Sequence, residues 1–407
     1  MEYVIVGGSV AAASALAAIR QNRPKAEIRV VADEAVPFYY RPLIPYLLDG
    51  SRTAEEILFA EQPSAAGRAE LIHDRCVAID PARQRIRLQS GRDLPYTKLL
   101  LAAGGAPIML VGDLEGLEHQ GIFTLRSMDD AVKIRKYLPG CRTAAVIGGG
   151  LVGIKAAEAL AKVGLAVTVI EQKEQILPLR ADRMAAAAIV TRLKEKGVTV
   201  LTGQAPQAVT ASAGKADGVR LADGSTVAAD LVILAVGIRP NIDFLAASGI
   251  AIERGVLADS RMQTSLPNIY AAGDLVQFTD QAAGDEEVSA LWSNAVHTGR
   301  VAGCNMSGGR AVVPPMLSVM NSTEIAGLPL ISAGKLDDPA GKHAVFAESC
   351  GDNCRKLLFA KDRLVGLLFL GNVNRAGVYV NMIRNRMPLQ GRRDELVREV
   401  MKELRSS

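Results

Sequence analysis

The sequence contains no long hydrophobic segment and only five cysteines. Its longest apolar stretch, residues 10–19, is about half as long as a membrane-spanning helix requires and includes Ser14. The chain opens directly with strand-like sequence, without the basic residues and apolar run of a secretory signal. We therefore expect a cytoplasmic protein without a membrane segment. The odd number of scattered cysteines favours reduced thiols over a disulfide framework.

Neither positive nor negative charge is in large excess. The formal net charge is only +4, and the whole excess lies in residues 313–407, which contain 14 Lys and Arg against 10 Asp and Glu. Nucleic-acid binding requires a strongly basic face, so we exclude that class of partner. The small excess is compatible with an acidic protein partner, although an ordinary solvated surface is the simpler explanation.

The sequence contains one pattern of strand, glycine turn, helix and strand twice. With 407 residues, 49% of them hydrophobic, and 38 glycines, the chain is typical of an α/β protein of two to three domains. Two segments each predict a strand, a glycine turn, a helix and a second strand, over residues 2–6, 10–20 and 28–32 and over residues 144–147, 151–163 and 166–170. Such a turn lets backbone N–H groups and the helix dipole meet a pyrophosphate. The repetition predicts two nucleotide sites.

The second glycine loop has the complete G-x-G-x-x-G spacing, formed by Gly148, Gly150 and Gly153. Glu171 ends the strand that follows, 23 residues after Gly148. A carboxylate at that place accepts hydrogen bonds from an adenosine 2′-hydroxyl and repels a 2′-phosphate. We therefore predict an NAD site that prefers NADH over NADPH.

The first loop is a reduced version of the same motif. Gly7 is followed by Ser9 and Ala12 at the second and third glycine positions, where small residues still permit close approach to a phosphate. Asp33 and Glu34 follow the second strand, and the sequence leaves open which of them holds a ribose.

Several short motifs, taken in order, resemble those of the pyridine nucleotide–disulfide oxidoreductase superfamily of flavoproteins. They are Gly7-x-Ser9-x-x-Ala12, Tyr40-Arg41-Pro42-Leu43, residues 101–105, Gly148-x-Gly150-x-x-Gly153, residues 235–241 and residues 271–274. The resemblance spans nearly the whole chain and implies FAD and NAD as cofactors. It also implies two Rossmann-like dinucleotide-binding domains and a C-terminal α+β interface domain. FAD would be bound by residues 1–112 and 238–313 and NAD by residues 113–237, with residues 314–407 forming the interface domain.

The resemblance further implies which residues contact the cofactors. Those expected at FAD are Gly7, Ser9, Ala11, Ala12, Asp33 or Glu34, Arg41, Pro42, the backbone of Val77, Ala103, Gly104, Gly273 and Asp274. The other cofactor-binding residues are Gly148, Gly150, Gly153, Glu171 and Gly237. Trp292 resembles a residue beside the flavin and the nicotinamide, and an ordinary core tryptophan would look the same.

One departure from the superfamily concerns sulfur. The disulfide reductases carry a cysteine pair in the helical segment that corresponds to residues 41–48, and this chain has none there. It therefore resembles the cysteine-free branch, which comprises NADH-dependent rubredoxin and ferredoxin reductases and the flavin domain of nitrite reductases. The expected function is hydride transfer from NADH to FAD, followed by electron transfer to a small, acidic iron–sulfur or rubredoxin-type protein. The physiological direction stays open, as does a homodimeric state.

Two alternatives to this function remain at the level of sequence. Cys350 and Cys354 could replace the missing thiols in an NADH oxidase or a thiol/disulfide reductase. The chain could also be a redox-responsive protein that binds FAD and NADH but turns over slowly.

A second departure concerns charge. In the cysteine-free branch, a lysine after the Arg-Pro motif usually pairs with a glutamate two residues past the last glycine of the NAD loop, next to flavin N5. The corresponding residues here are Tyr46 and Lys155. The lysine therefore occupies the position of the usual glutamate, and a tyrosine occupies that of the usual lysine. The resemblance implies catalytic positions for both. A buried Lys155 ammonium would favour the reduced flavin, whereas a Lys155 that extends into solvent would have little effect.

Overall fold

The computed structural model describes residues 2–36, 38–62, 69–110, 113–279, 286–288, 290–338 and 340–405. The chain divides into two compact units. The first unit comprises Met1–Tyr40, Ile57–Ala106 and Arg239–Ser318. The second comprises Arg41–Glu56, Pro107–Ile238 and Val319–Ser407.

Strands and helices alternate in two parts of the chain, residues 2–32 and 122–202, and consecutive strands make up most of the rest. In chain order the strands are β1 (Glu2–Val6), β2 (Glu27–Ala32), β3 (Glu70–His73), β4 (Cys76–Asp80), β5 (Arg85–Leu88), β6 (Asp93–Pro95), β7 (Lys98–Leu101), β8 (Gly105–Pro107), β9 (Ile122–Thr124), β10 (Thr143–Ile147), β11 (Ala166–Glu171), β12 (Val198–Thr202), β13 (Pro206–Ser212), β14 (Lys215–Leu221), β15 (Thr226–Ala228), β16 (Leu231–Leu234), β17 (Ile238–Pro240), β18 (Val256–Leu257), β19 (Ile269–Ala271), β20 (Val276–Thr279), β21 (Glu286–Val288), β22 (Met320–Ile325), β23 (Leu328–Gly334), β24 (Ala344–Cys350), β25 (Asn353–Ala360) and β26 (Arg363–Leu370). The helices are α1 (Val10–Asn22), α2 (Pro45–Leu48), α3 (Met128–Tyr137), α4 (Leu151–Lys162), α5 (Arg183–Glu195), α6 (Trp292–Met306), α7 (Ala376–Arg384) and α8 (Arg393–Arg405).

The first unit is built on a parallel sheet with the strand order β19-β7-β1-β2-β3. Its central strand β1 is apolar on both faces, and Tyr3, Val4 and Ile5 are all buried. This is expected of a strand with neighbours on both sides in a covered parallel sheet. Two smaller sheets, β4-β5-β6 and β18-β20-β21, belong to the same unit.

Helices α1 and α6 of the first unit pack unusually closely. A Cβ atom at Gly299 would lie 2.2 Å from the carbonyl oxygen of Ala11, and one at Gly303 would lie 2.3 Å from that of Ala15. Real Cβ atoms do not approach backbone this closely, so only glycine fits at these places on α6. The contact holds α1 along its length, directly behind the first glycine loop.

The second unit contains a parallel sheet of the same kind, with the order β12-β11-β10-β16-β9. An antiparallel sheet of β13, β14 and β15 accompanies it. The last ninety residues add an antiparallel sheet with the order β22-β23-β26-β25-β24 and helices α7 and α8. Arg355 of this sheet is fully buried, lies 4.1 Å from the centre of the Phe369 ring, and reaches Glu403 of α8 at 3.3 Å.

The predicted α/β class, with two dinucleotide-binding folds and a C-terminal α+β part, is confirmed. In both repeated segments the strands and helices lie within two residues of their predicted ends. The predicted domain boundaries stay predictions. Residues 111–112, where the first boundary was placed, lie outside the described residues, and the C-terminal sheet groups with the second unit.

The α1–α6 contact predicts that Gly303→Ala destabilises the protein, because the new methyl group forces the two helices apart. We expect a loss of roughly 1–3 kcal/mol, as for other overpacked sites, and therefore a melting temperature lower by several degrees. The matched control is Gly377→Ala on the exposed side of α7, where an added Cβ meets no atom within 4 Å. That variant should keep or raise the melting temperature. Equal melting temperatures for both variants, measured at one FAD concentration, would contradict the prediction.

Candidate functional site

The two glycine loops have the same backbone construction. Gly7 has φ 127° and Gly148 has φ 109°, in the region that glycine alone adopts easily. A Cβ atom would lie 2.1 Å from the carbonyl oxygen of Ala102 at the first position and 2.4 Å from that of Ala235 at the second. Each loop therefore requires glycine where it leaves its strand.

Hydrogen bonds fix both loops to their sheets in the same way. Gly7 N donates to Val31 O, and Gly148 N donates to Ile170 O, each at 2.8 Å. Both loops lie at the carboxyl ends of parallel strands, the edge where α/β proteins bind their ligands. The loops lead into α1 and α4, and neither helix has an acidic residue in its first turn. The positive ends of both helix dipoles are thus available to an anion.

The remaining glycines of the second loop fit a dinucleotide. A Cβ at Gly153 would lie 2.0 Å from Gly148 O, so this residue permits the close packing of α4 against the loop. Gly150 has open space where a Cβ would point, as expected for backbone that approaches a pyrophosphate. In the first loop, the fully buried Ala12 occupies the position of Gly153, and Ser9 stands at the N-terminus of α1 in place of Gly150.

Glu171 shapes the second loop as well as terminating its strand. Its side chain is buried, Oε2 accepts a hydrogen bond from Gly149 N at 2.8 Å, and Oε1 accepts one from Lys173 N at 2.8 Å. A carboxylate has about four acceptor positions, so it can still accept a hydroxyl. The sequence did not predict these two backbone contacts.

The strand registers show which residue of the first unit is equivalent to Glu171 of the second. Val31 and Ile170 bind the first glycines, so Ala32 of the first unit is equivalent to Glu171 of the second. Asp33 comes next and is exposed, with its Oδ2 3.6 Å from Arg75. Glu34 accepts a hydrogen bond from the hydroxyl of Tyr39.

The first unit also contains most of the other segments expected at FAD. Asn241 donates through Nδ2 to Ala103 O at 2.8 Å and through its backbone N to Gly104 O at 2.9 Å. Gly273 N donates to Thr298 Oγ1 at 3.0 Å, at the turn that precedes Asp274. Asn241 and Thr298 are positioning residues that the sequence reasoning missed. Asn241 lies inside a quoted motif and could have been found there, whereas nothing in the sequence singles out Thr298.

Trp292, at the start of α6, belongs to an aromatic cluster of the first unit. Its ring stacks on Tyr40 with centroids 5.6 Å apart and meets the edge of Phe59 at 5.9 Å. Tyr40 is partly exposed, so the cluster reaches the surface. The structure thus shows a packing role for Trp292, and the flavin contact stays a prediction. Val77, the remaining FAD candidate of this unit, lies on β4 with an exposed side chain.

The other predicted residues lie in the second unit. Arg41 and Pro42 group with this unit, and Arg41 Nη1 donates to Arg126 O at 3.0 Å. Gly237 has φ 111° and follows β16. Tyr46 lies in the short helix α2, and the Lys155 ammonium is 5.8 Å from the centre of its ring.

Lys155 does not extend freely into solvent. Its side chain is only 18% exposed, and Nζ lies 3.0 Å from Glu158 Oε2. Of the two orientations left open by the sequence, the structure shows the covered one, and it adds an ion-pair partner.

Cys350 and Cys354 do not form a thiol pair. Cys350 pairs across the hairpin with Asn353, and Cys354 pairs with Ser349, so the two cysteines project from opposite faces of the sheet. Cys350 is exposed, whereas Cys354 is buried, which raises the pKa of its thiol to about 11. Burial likewise raises the pKa of Cys76 to about 12. Within the described residues all five cysteines are free, and no group of acidic, histidine or cysteine residues could hold a metal ion.

In the described part of the chain, no helix has the length and apolar character needed to cross a membrane.

Comparisons with known proteins show the family of the chain. Residues 1–299 match the family description "pyridine nucleotide-disulphide oxidoreductase". The epsilon subunit of the NADH-dependent phenylglyoxylate dehydrogenase of Aromatoleum evansii is 31% identical over 97% of this chain and 94% of its own length. The rubredoxin-NAD(+) reductase of Pseudomonas putida is 29% identical over 83% of this chain and 88% of its own length. A NAD-dependent persulfide reductase from A. fulgidus superposes with a TM-score of 0.88 at 27% identity, over 95% of this chain and 77% of that one.

The resemblance inferred from the sequence motifs is therefore confirmed at the level of family, enzyme class and cofactors. The roles of individual site residues stay predictions. The chain belongs to the pyridine nucleotide-disulphide oxidoreductase family, whose members use FAD and NAD(H).

Proposed function

We propose that this chain is an NADH-dependent reductase that passes electrons through FAD to a small iron–sulfur or rubredoxin-type protein. The observation that carries the proposal is the pair of glycine loops with one construction, each at the carboxyl edge of its own parallel sheet. Two such loops suit two dinucleotides, one that delivers electrons and one that stays bound. The similarity to a rubredoxin-NAD(+) reductase supports the same carrier type.

We assign FAD to the first loop and NADH to the second. The complete glycine motif and the buried Glu171 suit a nucleotide that must be recognised by its free 2′-hydroxyl. The first loop would hold the FAD pyrophosphate, with Asp274 at the sugar-alcohol chain. Of the two acidic residues after β2 we favour Asp33 for the FAD ribose, because it is nearer the position equivalent to Glu171 and because Glu34 is engaged by Tyr39.

The chain's own residues then bind and orient the cofactors. When bound, FAD supplies the conversion of a two-electron hydride into single electrons. The glycine loops would hold the two pyrophosphates, and Glu171, which also fixes the second loop, would orient the adenosine of NADH. The family resemblance implies that Lys155 would provide positive charge near the flavin. Asn241 fixes the Ala103–Gly104 turn against movement.

The carrier partner is proposed to be acidic, because the excess of Lys and Arg lies in the C-terminal residues 313–407. The cytoplasmic location and a homodimeric state stay predictions.

A second candidate function rests on the similarity to the epsilon subunit, which covers nearly all of both chains. That protein is named as one subunit of a dehydrogenase, so this chain could serve as the NAD(H)-handling subunit of a larger enzyme. In that case the isolated chain would reduce free carriers poorly and need its partner subunits for full turnover.

The proposed function predicts that the purified, FAD-loaded chain reduces rubredoxin or ferredoxin with NADH much faster than it reduces oxygen. Alkylation of the accessible cysteines should leave this activity intact, since Cys350 and Cys354 face away from each other. Full reduction should take about two electrons per flavin, with no thiol pair to accept more. Four electrons per flavin, or inactivation that follows alkylation of Cys350, would favour a thiol reductase. Faster turnover with oxygen would favour an oxidase, and slow turnover with every acceptor a binding protein.

The position of Glu171 predicts the cofactor preference. We expect Glu171→Gln to raise the KM for NADH and to shift the preference toward NADPH, because the negative charge that repels a 2′-phosphate is lost. A charged hydrogen bond contributes roughly 1–3 kcal/mol, so the ratio of kcat/KM values should change at least about fivefold. Glutamine keeps one acceptor oxygen, so only one of the two backbone N–H groups loses its partner. Glu174→Gln, on the exposed side of the same segment, is the control. An unchanged NADH to NADPH ratio would remove Glu171 from the nucleotide site.

The covered position of Lys155 predicts an effect on the flavin. Lys155→Met keeps most of the side-chain volume and deletes the charge, so FAD should stay bound while its reduction potential falls and its reduction by NADH slows. A full charge roughly 4 Å from the ring contributes on the order of 4 kcal/mol at an effective dielectric of about 20. Solvent screening reduces this figure, and even about 1 kcal/mol would be measurable as a shift in potential.

The control is Lys162→Met on the same helix, where an exposed lysine pairs with Asp49 at 3.0 Å. It should leave the potential unchanged. Identical potentials for Lys155→Met and the unmodified enzyme would show that Lys155 lies away from the flavin.

A further inference from the structure

The outer strand of the C-terminal sheet, β24, is open on one side. Among the strands of the described residues it pairs only with β25. Residues 344–350 contain no proline and no lysine, the residues that commonly protect a sheet edge from pairing with another chain. Val345 is 45% exposed. An edge of this length and composition is a template for one more strand.

The backbone of this edge is regular. Gly351 and Asp352 form the two-residue turn to β25, and the φ of 56° at Gly351 suits a type II′ hairpin. The ladder between the two strands has no register shift over the whole of β24. In an unbroken antiparallel ladder, alternate residues direct both N–H and C=O away from the partner strand. Those groups of β24 are therefore aligned for a further strand.

A groove of about 510 Å³ runs between β24 and helix α8. Its apolar lining consists of Val345, Phe346 and Ala347 from the strand and Val397 and Met401 from the helix. Neighbouring residues of a strand point to opposite faces. A lining that includes three consecutive residues therefore follows the edge of the strand, where an added strand would lie.

Helix α8 is fixed to its own sheet by acidic residues. Glu403 is 3.3 Å from Arg355 and 3.3 Å from Arg375, and Glu399 also pairs with Arg375. Arg355 is fully buried, so this side of the helix faces the interior of the C-terminal part. The acidic residues are used in the attachment of the helix and leave its basic residues to the other side.

The basic residues of α8 line the groove. Arg398 and Lys402 lie one turn apart, and both are exposed. In the part of the chain that the structure describes, neither forms an ion pair with a carboxylate. Glu348 is the single acidic residue of the lining, so the groove has a net positive charge. A second copy of the chain would bring like charges together here, whereas an acidic segment would be attracted.

We propose that β24 and α8 bind an extended, acidic segment of a partner subunit. The segment adds a strand to the edge of the sheet, places aliphatic side chains in the groove, and directs carboxylates to Arg398 and Lys402. The inference goes beyond the proposed carrier function and does not depend on it.

The mode of binding suits a subunit better than an electron carrier. A carrier has to leave after each electron, and electron-transfer complexes accordingly have small, weak interfaces. Strand addition gives a continuous series of backbone hydrogen bonds along an extended segment, which favours lasting association. An added strand at β24 would therefore hold the chain within a larger enzyme.

The test measures binding of labelled peptides to the FAD-loaded chain by fluorescence anisotropy. The probe is a peptide as long as β24 in which glutamate and valine alternate, and the first control peptide has lysine in place of glutamate. We expect the acidic peptide to bind saturably and to slow hydrogen exchange in residues 344–350. The basic peptide should bind at least about tenfold more weakly.

Two further peptides test strand addition itself. They are the acidic peptide methylated on the backbone nitrogens of its valines or of its glutamates. Only one of these two sets of N–H groups faces β24 in an added strand. At least one methylated peptide should therefore bind about tenfold more weakly than the parent. Equal binding by all three would overturn the proposal, since simple charge attraction does not need the N–H groups.

The variant that tests the groove is Arg398→Glu with Lys402→Glu. Reversal of both charges replaces attraction by repulsion, so the Kd of the acidic peptide should rise at least about tenfold. The matched control is Lys133→Glu with Lys194→Glu, which changes the net charge equally at exposed positions of α3 and α5. It should leave the Kd unchanged.

An equal loss in both double variants would show attraction to the whole protein and would overturn the proposal. So would the absence of saturable binding to the unmodified chain. If the reversed variant has a lower melting temperature, Arg398→Gln with Lys402→Gln replaces it, and an unchanged Kd there again overturns the proposal.

The remaining outcomes identify a different occupant. Saturating acidic peptide should leave NADH-to-rubredoxin turnover unchanged, and inhibition would assign the groove to the carrier and overturn its assignment to a subunit. A dimer of the unmodified chain that the peptide dissociates would assign it to a second copy, with the same consequence. Absence of turnover with rubredoxin rejects the carrier function and leaves the inference about the groove standing.

Discussion

The close approach of one glycine in each loop to the neighbouring strand is the constraint on which both nucleotide folds depend. Gly7 and Gly148 leave their strands so near a carbonyl oxygen that any Cβ would collide with backbone. Because the chain turns this tightly, each following helix begins directly above the carboxyl edge of its sheet, with its positive end toward that edge. The geometry of both dinucleotide-binding loops therefore depends on a steric constraint at these two glycines. The polar contacts stabilise loops whose path the glycines already define.

Much of this architecture could be read from the sequence, and physical chemistry explains why. Buried parallel strands require continuous apolar runs, and a glycine turn before an alanine-rich helix has few other structural uses, so both repeated segments were predicted closely. The sequence could not show how side chains meet across long separations. Glu158 accepts a hydrogen bond from Ala326 N, 168 residues further along the chain, and no periodicity connects them. The sequence does not show the register of paired strands either. Only the structure of the hairpin shows that Cys350 and Cys354 project from opposite faces of the sheet.

The positions of the cysteines in this chain bear on the type of electron acceptor that it can use. Relatives that reduce disulfides need two thiols that can reach each other and a thiolate at neutral pH. Here two of the five thiols are buried deeply enough to raise their pKa to about 11 and about 12, and the C-terminal cysteines project from opposite faces of one hairpin. Electrons that arrive on the flavin thus have no thiol relay among the described residues, which suits an acceptor that binds from outside.

The two backbone hydrogen bonds of Glu171 have a consequence for protein engineering. A change of preference toward NADPH would replace Glu171, the proposed acceptor of the adenosine 2′-hydroxyl. In this chain the same carboxylate also receives the amides of Gly149 and Lys173, so a serine or arginine substituted there would leave two N–H groups without their acceptor. A redesign for NADPH therefore has to rebuild the loop and supply a new acceptor for Gly149 in the same step as it adds a positive charge for the phosphate.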